Sequence, residues 1–227
     1  MSAIHVWMGG SFSPPTIGHL NTGLTIAAQL SNCHPGATIN IYYVPVNSAY
    51  NKASVKEEYI TTADRLRLLQ LLLEEARHRC PAANFILADH EAVAGAAVKT
   101  YDSVTQLTAI HNIPLTDRVY LAVGQDNITG LLKGGWYKWR ELLETYNFII
   151  FPRECALADK GALRAALSAS ANAPADLADR LTIIDAMSDG VSSTALRSAI
   201  ADGRLADAGV LTLPSIMDYI VIKNLYK

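Results

Sequence analysis

One stretch near the start of the chain decides the fold. An apolar run, residues 4–8, is followed by a loop rich in glycine and proline, and the two continue as Gly9-Gly10-Ser11-Phe12-Ser13-Pro14-Pro15-Thr16-Ile17-Gly18-His19. This order predicts a strand, a tight loop and a helix start, where free backbone N–H groups and the helix dipole converge on one point. Because Thr16 and His19 are three residues apart, both side chains lie on one face of the first helical turn. We expect this corner to bind a phosphate, with His19 donating to a phosphoryl oxygen and stabilising the charge that develops there.

The same order of elements continues along the chain. Apolar runs separated by helical stretches predict a Rossmann-like, doubly wound α/β fold: a mainly parallel sheet with helices on both faces, followed by a C-terminal helical portion. Ligands of such sheets bind at the carboxyl ends of the strands, where the strand order reverses, and the His19 loop follows the first strand. We expect strands at residues 3–8, 38–46, 84–88, 118–123, 147–151 and 180–184, and helices at 18–30, 61–79, 103–111, 126–132, 137–144, 160–168, 193–201 and 214–225.

Length and composition fit a single domain. The chain has 227 residues, of which 50% are hydrophobic, so a full core is available. We expect one domain over residues 1–227, with a core at 1–155 and a C-terminal portion at 156–227. The alanine-rich segment 156–179 predicts a surface helix and loop. Residues 46–58 predict a long loop, and such loops inside compact domains are often functional.

Charge and cysteine usage exclude several classes of partner. The net charge is −2 and there is no basic block, so we expect no nucleic acid partner. Cys33, Cys80 and Cys155 are far apart, which argues against a disulfide scaffold and a cysteine zinc site. We expect no signal peptide, and no apolar run reaches membrane-spanning length, so we expect no membrane contact. The expected location is the cytoplasm, with the nucleus as the alternative.

A second polar motif lies far along the chain and reads Val191-Ser192-Ser193-Thr194-Ala195-Leu196-Arg197. Ser192 or Ser193 can cap a helix, and Thr194 and Arg197 then share one face of its first turns. Hydroxyl donors, free N–H groups and a guanidinium form a cradle suited to a polyphosphate. The alternative is an ordinary helix cap with a solvated arginine. The first motif favours the phosphate.

These two motifs together resemble the signatures of the nucleotidyltransferase superfamily. The first signature is a (His/Thr)-x-Gly-His element, which here ends at His19, with the eukaryote-like Thr16 at its start. The second is an Ile-Ser-Ser-Thr-x-x-Arg element, which here begins with Val191 in place of isoleucine.

Further similarities narrow the resemblance to the nicotinamide/nicotinate mononucleotide adenylyltransferase family. Residues 45–52 are similar to its Pro-Val-x-Asp-Ala-Tyr-x-Lys loop, with Ser48 in place of aspartate. Residues 124–126, Gly-Gln-Asp, resemble its Gly-Ala-Asp, and the segment with Trp136 resembles the tryptophan-containing segment that follows. The similarity extends from residue 4 to residue 226.

This resemblance implies adenylyl transfer from ATP to nicotinamide mononucleotide, nicotinate mononucleotide or both, giving NAD or deamido-NAD and pyrophosphate. Mg²⁺ would accompany ATP, held by phosphates and water, with no dedicated protein metal site. A homo-oligomer is an open alternative. The implied catalytic residues are His19, Lys52 and Arg197. The implied ATP-binding residues are Gly10, Ser11, Phe12, Thr16, Gly18, His19, Gly124, Asp126, Ser192, Ser193, Thr194 and Arg197. The implied mononucleotide-binding residues are Ser11, Phe12, Lys52, Tyr101 and Trp136, with Trp136 stacking on the pyridine ring.

Two alternatives to this activity stay open. One is another small-molecule nucleotidyltransferase, such as a pantetheine-phosphate adenylyltransferase or a cytidylyltransferase. The other is a nucleotide-binding module without catalysis. Single residues also have simpler interpretations: Lys52 as a solvated lysine, and Asp126 as an acid that the helix dipole stabilises.

Overall fold

The computed structural model describes residues 3–50, 53–56, 59–151, 160–184 and 191–227. The predicted roles of Lys52 and the predicted division at residue 155 therefore fall outside the described residues, as does Cys155. The strands are β1 (Ala3–Gly10), β2 (Thr38–Pro45), β3 (Ala83–Leu87), β4 (Arg118–Gly124), β5 (Asn147–Phe151) and β6 (Leu181–Ile183). The α-helices are α1 (Ile17–Cys33), α2 (Thr62–Arg79), α3 (Thr100–Ile110), α4 (Gln125–Leu132), α5 (Trp139–Thr145), α6 (Lys160–Ser168), α7 (Ser193–Ala201), α8 (Leu205–Gly209) and α9 (Pro214–Lys223).

The six strands form one sheet in the order β3-β2-β1-β4-β5-β6. Every neighbouring pair is parallel. The chain runs outward from β1 to one edge and then returns to β4 beside β1, which is the doubly wound arrangement. The predicted α/β fold class is therefore confirmed, and the strand order reverses between β1 and β4.

A crevice opens at that reversal. The pairing of β1 with β2 continues to Gly10 and Pro45, at the carboxyl end of both strands. The pairing of β1 with β4 ends earlier, at Trp7 and Leu121. The ends of β1 and β4 therefore diverge, and the space between them lies where ligands of such sheets bind.

The core has two parts, one on each face of the sheet. Side chains alternate along β1, so that Val6 and Met8 join the cluster under α1, α2, α7 and α9, while Trp7 joins the cluster under α3, α4 and α5. Because both faces are buried, the strands appear in the sequence as continuous apolar runs rather than alternating ones.

The predicted elements are present with boundaries shifted by up to three residues, and one further α-helix, α8, is present. Helix α3 begins at Thr100, three residues earlier than expected, and β1 continues to Gly10. Helix α8 was not predicted, because five residues are too few to show a helical period. In the part of the chain that the structure describes, no helix has both the length and the hydrophobicity to cross a membrane.

Candidate active site

Four carbonyl groups of the loop between β1 and α1 each accept a hydrogen bond from a side chain of another part of the fold. We call the four donors the loop clamp: Arg65 Nη1 donates to the Ser11 carbonyl (3.2 Å), Arg197 Nη1 to Ser13 (2.6 Å), Ser193 Oγ to Pro14 (2.8 Å) and Thr212 Oγ1 to Pro15 (2.8 Å). A bare carbonyl oxygen repels a phosphate. Engaging these oxygens removes that repulsion and fixes the loop in one conformation.

Phe12 lies at the centre of this loop in an unusual backbone conformation. Its φ is 44°, in the left-handed region that non-glycine residues rarely adopt. Its side chain is buried, with the ring centroid 5.1 Å from that of His19 and 5.6 Å from that of Tyr43. A ligand would therefore meet the backbone of Phe12, and the ring serves to support His19.

The proton on His19 is located by its hydrogen bonds. Thr16 is the N-cap of α1, and its backbone N–H donates to Nδ1 of His19 at 3.0 Å. Because a backbone N–H can only donate, Nδ1 of the neutral ring is the acceptor and Nε2 carries the hydrogen. Burial lowers the pKa of His19 to about 4, so the ring is neutral at pH 7. His19 thus presents a fixed, uncharged N–H donor, and Tyr43 anchors its backbone by donating to its carbonyl at 2.9 Å.

The second motif begins α7 and meets the first loop directly. Ser192 is the N-cap, and its Oγ accepts from the N–H of Ala195 at 3.0 Å. Arg197 Nη2 donates to Thr194 Oγ1 at 3.1 Å, while Nη1 reaches the Ser13 carbonyl of the clamp. The fold therefore brings together two motifs that are far apart in the sequence, with the start of α7 against the loop that leads to His19.

The carboxyl end of β4 forms the other side of the crevice. Gly124 is buried and is the N-cap of α4, and Asp126 is exposed in the first turn of that helix. A carboxylate at this position is favoured by the helix dipole.

A cavity of about 380 Å³ lies beside the loop clamp. It extends from the carboxyl end of β1 to the start of α3 and to residues 135–137 after α4. Predicted site residues Gly10, Ser11 and Trp136 line it. Other side chains around it include Trp7, Glu91, Lys99 and Tyr137, which sequence reasoning did not single out.

Tyr101 lies outside the lining of this cavity, although it was predicted to bind the mononucleotide. Its ring packs at the edge of the core, with the Lys138 ammonium 4.2 Å from the ring centroid. Its neighbours Lys99 and Thr100 line the cavity instead. The segment around Tyr101 therefore borders the cavity, but the Tyr101 side chain does not line it.

Glu91 is a buried carboxyl group at the cavity wall, 3% exposed. Burial raises its pKa to about 7, although a hydrogen bond to Ser103 and the charge of Arg65 act in the opposite direction. Ser103 Oγ also accepts from the indole N–H of Trp7 at 3.0 Å. Arg65 also donates to the Ser11 carbonyl, so the same guanidinium acts on the loop and on the carboxyl group of Glu91 at the cavity wall. No motif surrounds Glu91 in the sequence that could have identified it.

The loop after β2 is fastened to the segment that carries Glu91. Asn47 is buried, and its Nδ2 donates to the carbonyls of Ala92 (3.3 Å) and Ala94. Its Oδ1 accepts from the N–H of Ala49 at 2.6 Å. The start of the predicted functional loop is thus held beside the cavity.

This geometry is typical of α/β proteins that bind nucleotide phosphates at the switch point of a parallel sheet, because helix N-termini and a rigid loop converge where β1 and β4 separate. The model of the cytidylyltransferase-like family matches residues 7–199, which include both motifs. The chain belongs to this family.

Similar proteins include several that are named as probable nicotinate-nucleotide adenylyltransferases. The chain is 26% identical over 219 residues to the one from Caldicellulosiruptor bescii, covering 96% of each protein. It is 31% identical over 143 residues to the one from Geobacillus thermodenitrificans, covering 62% of this chain and 56% of that protein. Among solved structures, Plasmodium falciparum nicotinic acid mononucleotide adenylyltransferase complexed with NaAD has a TM-score of 0.69 at 19% identity, with 99% of this chain and 97% of that chain covered. At that identity the likeness concerns the fold.

Proposed function

We propose that the protein transfers the adenylyl group of ATP to the 5′-phosphate of nicotinate mononucleotide, giving deamido-NAD and pyrophosphate, with nicotinamide mononucleotide as the second acceptor to test. Membership of the cytidylyltransferase-like family and the names of the relatives support this reaction. The observation that carries it is the loop clamp, which sets the start of α7 against the loop leading to His19.

The reaction requires positioning rather than proton transfer. An oxygen of the mononucleotide phosphate attacks the α-phosphorus of ATP, and a new P–O bond forms. The bond from the α-phosphorus to the bridging oxygen breaks, and pyrophosphate leaves with the electron pair. Because the attacking phosphate is already an anion at pH 7, no general base is needed.

His19 is proposed to act as a neutral donor to an α-phosphoryl oxygen. Its Nε2–H is oriented by the bond from Thr16 to Nδ1. A donor fixed in advance stabilises the charge that builds up on the phosphoryl oxygens in the transition state. The backbone N–H groups of Gly10, Ser11, Phe12 and Gly18 are proposed to bind the phosphates beside it.

The start of α7 is proposed to hold the β- and γ-phosphates. A guanidinium has five N–H donors, so Arg197 can hold Ser13 and Thr194 and still bind a phosphate oxygen. The hydroxyls of Ser192 and Thr194 each accept one bond and keep a hydrogen to donate. Ser193 already donates to Pro14, so we assign it to positioning the loop.

The remaining site residues are proposed to orient the nucleosides. Asp126 and the backbone of Gly124 would accept from the ATP ribose, and Trp136 would stack on the pyridine ring of the acceptor. Lys52, which lies outside the described residues, would reach the phosphates from its loop.

Mg²⁺ is proposed to arrive with ATP. In the described parts of the chain, His, Cys, Asp and Glu do not form a group of three that could hold a metal ion. We propose that phosphate oxygens and water hold the cation, where it would neutralise phosphate charge.

The test is product formation with defined substrates. We expect pyrophosphate release and dinucleotide formation with ATP and nicotinate mononucleotide, measured by a coupled pyrophosphate assay and mass spectrometry. CTP in place of ATP and pantetheine phosphate in place of the mononucleotide are the matched controls, because the family model is cytidylyltransferase-like. Turnover only with a control substrate would overturn the proposal, and ATP binding without turnover of any acceptor would indicate a binding module.

A further inference from the structure

The cavity carries a single positive charge among its described lining residues, and that charge is Lys99. Lys99 is the N-cap residue of α3, in an extended conformation (φ −84°, ψ 149°). Its carbonyl accepts from the N–H of Ser103 at 2.9 Å, so the helix fixes the backbone from which the side chain extends. The side chain itself is exposed and free to reach along the rim of the cavity.

Lys99 and Trp136 line the same cavity, and the start of α7 does not line it. The segments that carry these two residues are in contact, since the ammonium of Lys138 lies 4.2 Å from the ring centroid of Tyr101. Tyr101 is two residues from Lys99, and Lys138 is two residues from Trp136. A pyridine ring stacked on Trp136 would therefore have its edge near the first turn of α3.

Lys99 is not needed to neutralise the acid in the same cavity. The charged group that acts on Glu91 is Arg65, from the loop clamp. The ammonium of Lys99 is thus available to a ligand, and the first-turn N–H groups of α3 favour negative charge at the same place.

The two candidate acceptors differ at one group. Nicotinate mononucleotide carries a carboxylate on its pyridine ring, where nicotinamide mononucleotide carries an uncharged amide. An ammonium group beside the ring strongly favours the carboxylate, because only the carboxylate forms a charge-assisted hydrogen bond with it.

We propose that Lys99 is a specificity-determining residue that pairs with the ring carboxylate and gives the enzyme its preference for nicotinate over nicotinamide mononucleotide. This inference rests on the proposed function, whose failure would show separately as an absence of turnover with both acceptors. Lys99 acts on binding of the acceptor and takes no part in phosphoryl transfer.

The experiment compares kcat/KM for the two mononucleotides in the wild type, Lys99→Gln, Lys99→Arg and the control Lys223→Gln. Lys223 is an exposed lysine on α9 and is not one of the residues that line the cavity. We expect Lys99→Gln to lower kcat/KM for nicotinate mononucleotide by about 10–100-fold, the effect of losing one charged hydrogen bond, mostly through KM. The kcat/KM of Lys99→Gln for nicotinamide mononucleotide should change by less than about 3-fold. Lys99→Arg should retain most of the preference, and Lys223→Gln all of it.

Two results would overturn the assignment. An equal loss for both mononucleotides in Lys99→Gln would show a general role in folding or phosphate binding. Unchanged kcat/KM values for both mononucleotides would show that another group recognises the carboxylate. Circular dichroism and the Tm of each variant distinguish a folding defect from a loss of recognition.

Discussion

Arg197 donates to the carbonyl of Ser13 at 2.6 Å across 184 positions of the sequence. The same guanidinium bonds Thr194 at 3.1 Å, so one side chain ties the first turns of α7 to the loop after β1. A rigid relation between these two segments is what a triphosphate would require, since it must span both.

Replacing Arg197 tests this relation. Arg197→Ala removes both bonds and the positive charge, and we expect kcat/KM for ATP to fall by about 100–1,000-fold. Arg197→Lys keeps the charge but loses the planar fork that serves two acceptors, so we expect an intermediate loss. Steady-state kinetics with varied ATP provide the measurement.

The matched control is Arg204→Ala. Arg204 is an exposed arginine beyond α7 that pairs with Asp202 and Asp207 on the surface, where such pairs contribute little. We expect its kinetics to match the wild type. A defect in Arg204→Ala as large as that in Arg197→Ala would show that the region, rather than the bonds to Ser13 and Thr194, matters.

His19→Asn separates the two roles of His19. An asparagine Oδ1 lies near the position of Nδ1 and can still accept from Thr16, but nothing replaces the Nε2–H donor. We expect kcat to fall by about 100–1,000-fold while stability changes little. His19→Ala loses the capping bond as well, so its free energy of unfolding should fall by a further amount of about 1 kcal/mol.

Kinetics and urea unfolding of both variants measure these effects, with His78→Asn as the control. His78 is exposed in the last turn of α2, far from the loop. A His19→Asn enzyme with nearly normal kcat would contradict the role of the Nε2–H donor.

The strands and both phosphate motifs could be predicted from the sequence because their signals are local. An apolar run buried on both faces is visible in the sequence, as is the spacing of Thr16 and His19 on one helical turn. The loop clamp could not be predicted, because Arg65 and Thr212 each supply one polar atom from a stretch without a motif. Glu91 and Lys99 are hidden for the same reason: only the fold shows that they share a cavity with Trp136.

Glu91 should make stability depend on pH in a defined direction. Its pKa in the folded protein is about 7, raised from 4.5 by burial, so the folded state binds more protons than the unfolded state between these values. The stability contributed by the protonated group is present below pH 4.5 and is lost as pH rises through 7. The side chain in Glu91→Gln stays uncharged at every pH. As pH rises from 4.5 to 8.5, the free energy of unfolding of Glu91→Gln should therefore gain roughly 3 kcal/mol on that of the wild type.

Urea unfolding of the wild type and Glu91→Gln at a series of pH values measures this difference. His19 has the opposite sign: its pKa is lowered from 6.5 to about 4, so it lowers stability as pH falls through this range. Because His19 is present in both proteins, its contribution cancels in the comparison. A difference that is independent of pH would show that Glu91 has an ordinary pKa.

Gly9→Ala should narrow the cavity without touching a group that the mechanism uses. A Cβ on Gly9 would lie 2.2 Å from Cη2 and 2.4 Å from Cζ2 of Trp7, so the indole must move. Trp7 lines the cavity, and its indole N–H donates to Ser103 Oγ. We therefore expect the free energy of unfolding to fall by about 1–3 kcal/mol and the KM of the mononucleotide to rise.

The control is Gly95→Ala, since a Cβ on Gly95 meets no atom within 4 Å. Urea unfolding and kinetics with varied mononucleotide at saturating ATP measure both effects. A normal KM in a destabilised Gly9→Ala enzyme would show that Trp7 supports the core and does not shape the acceptor site.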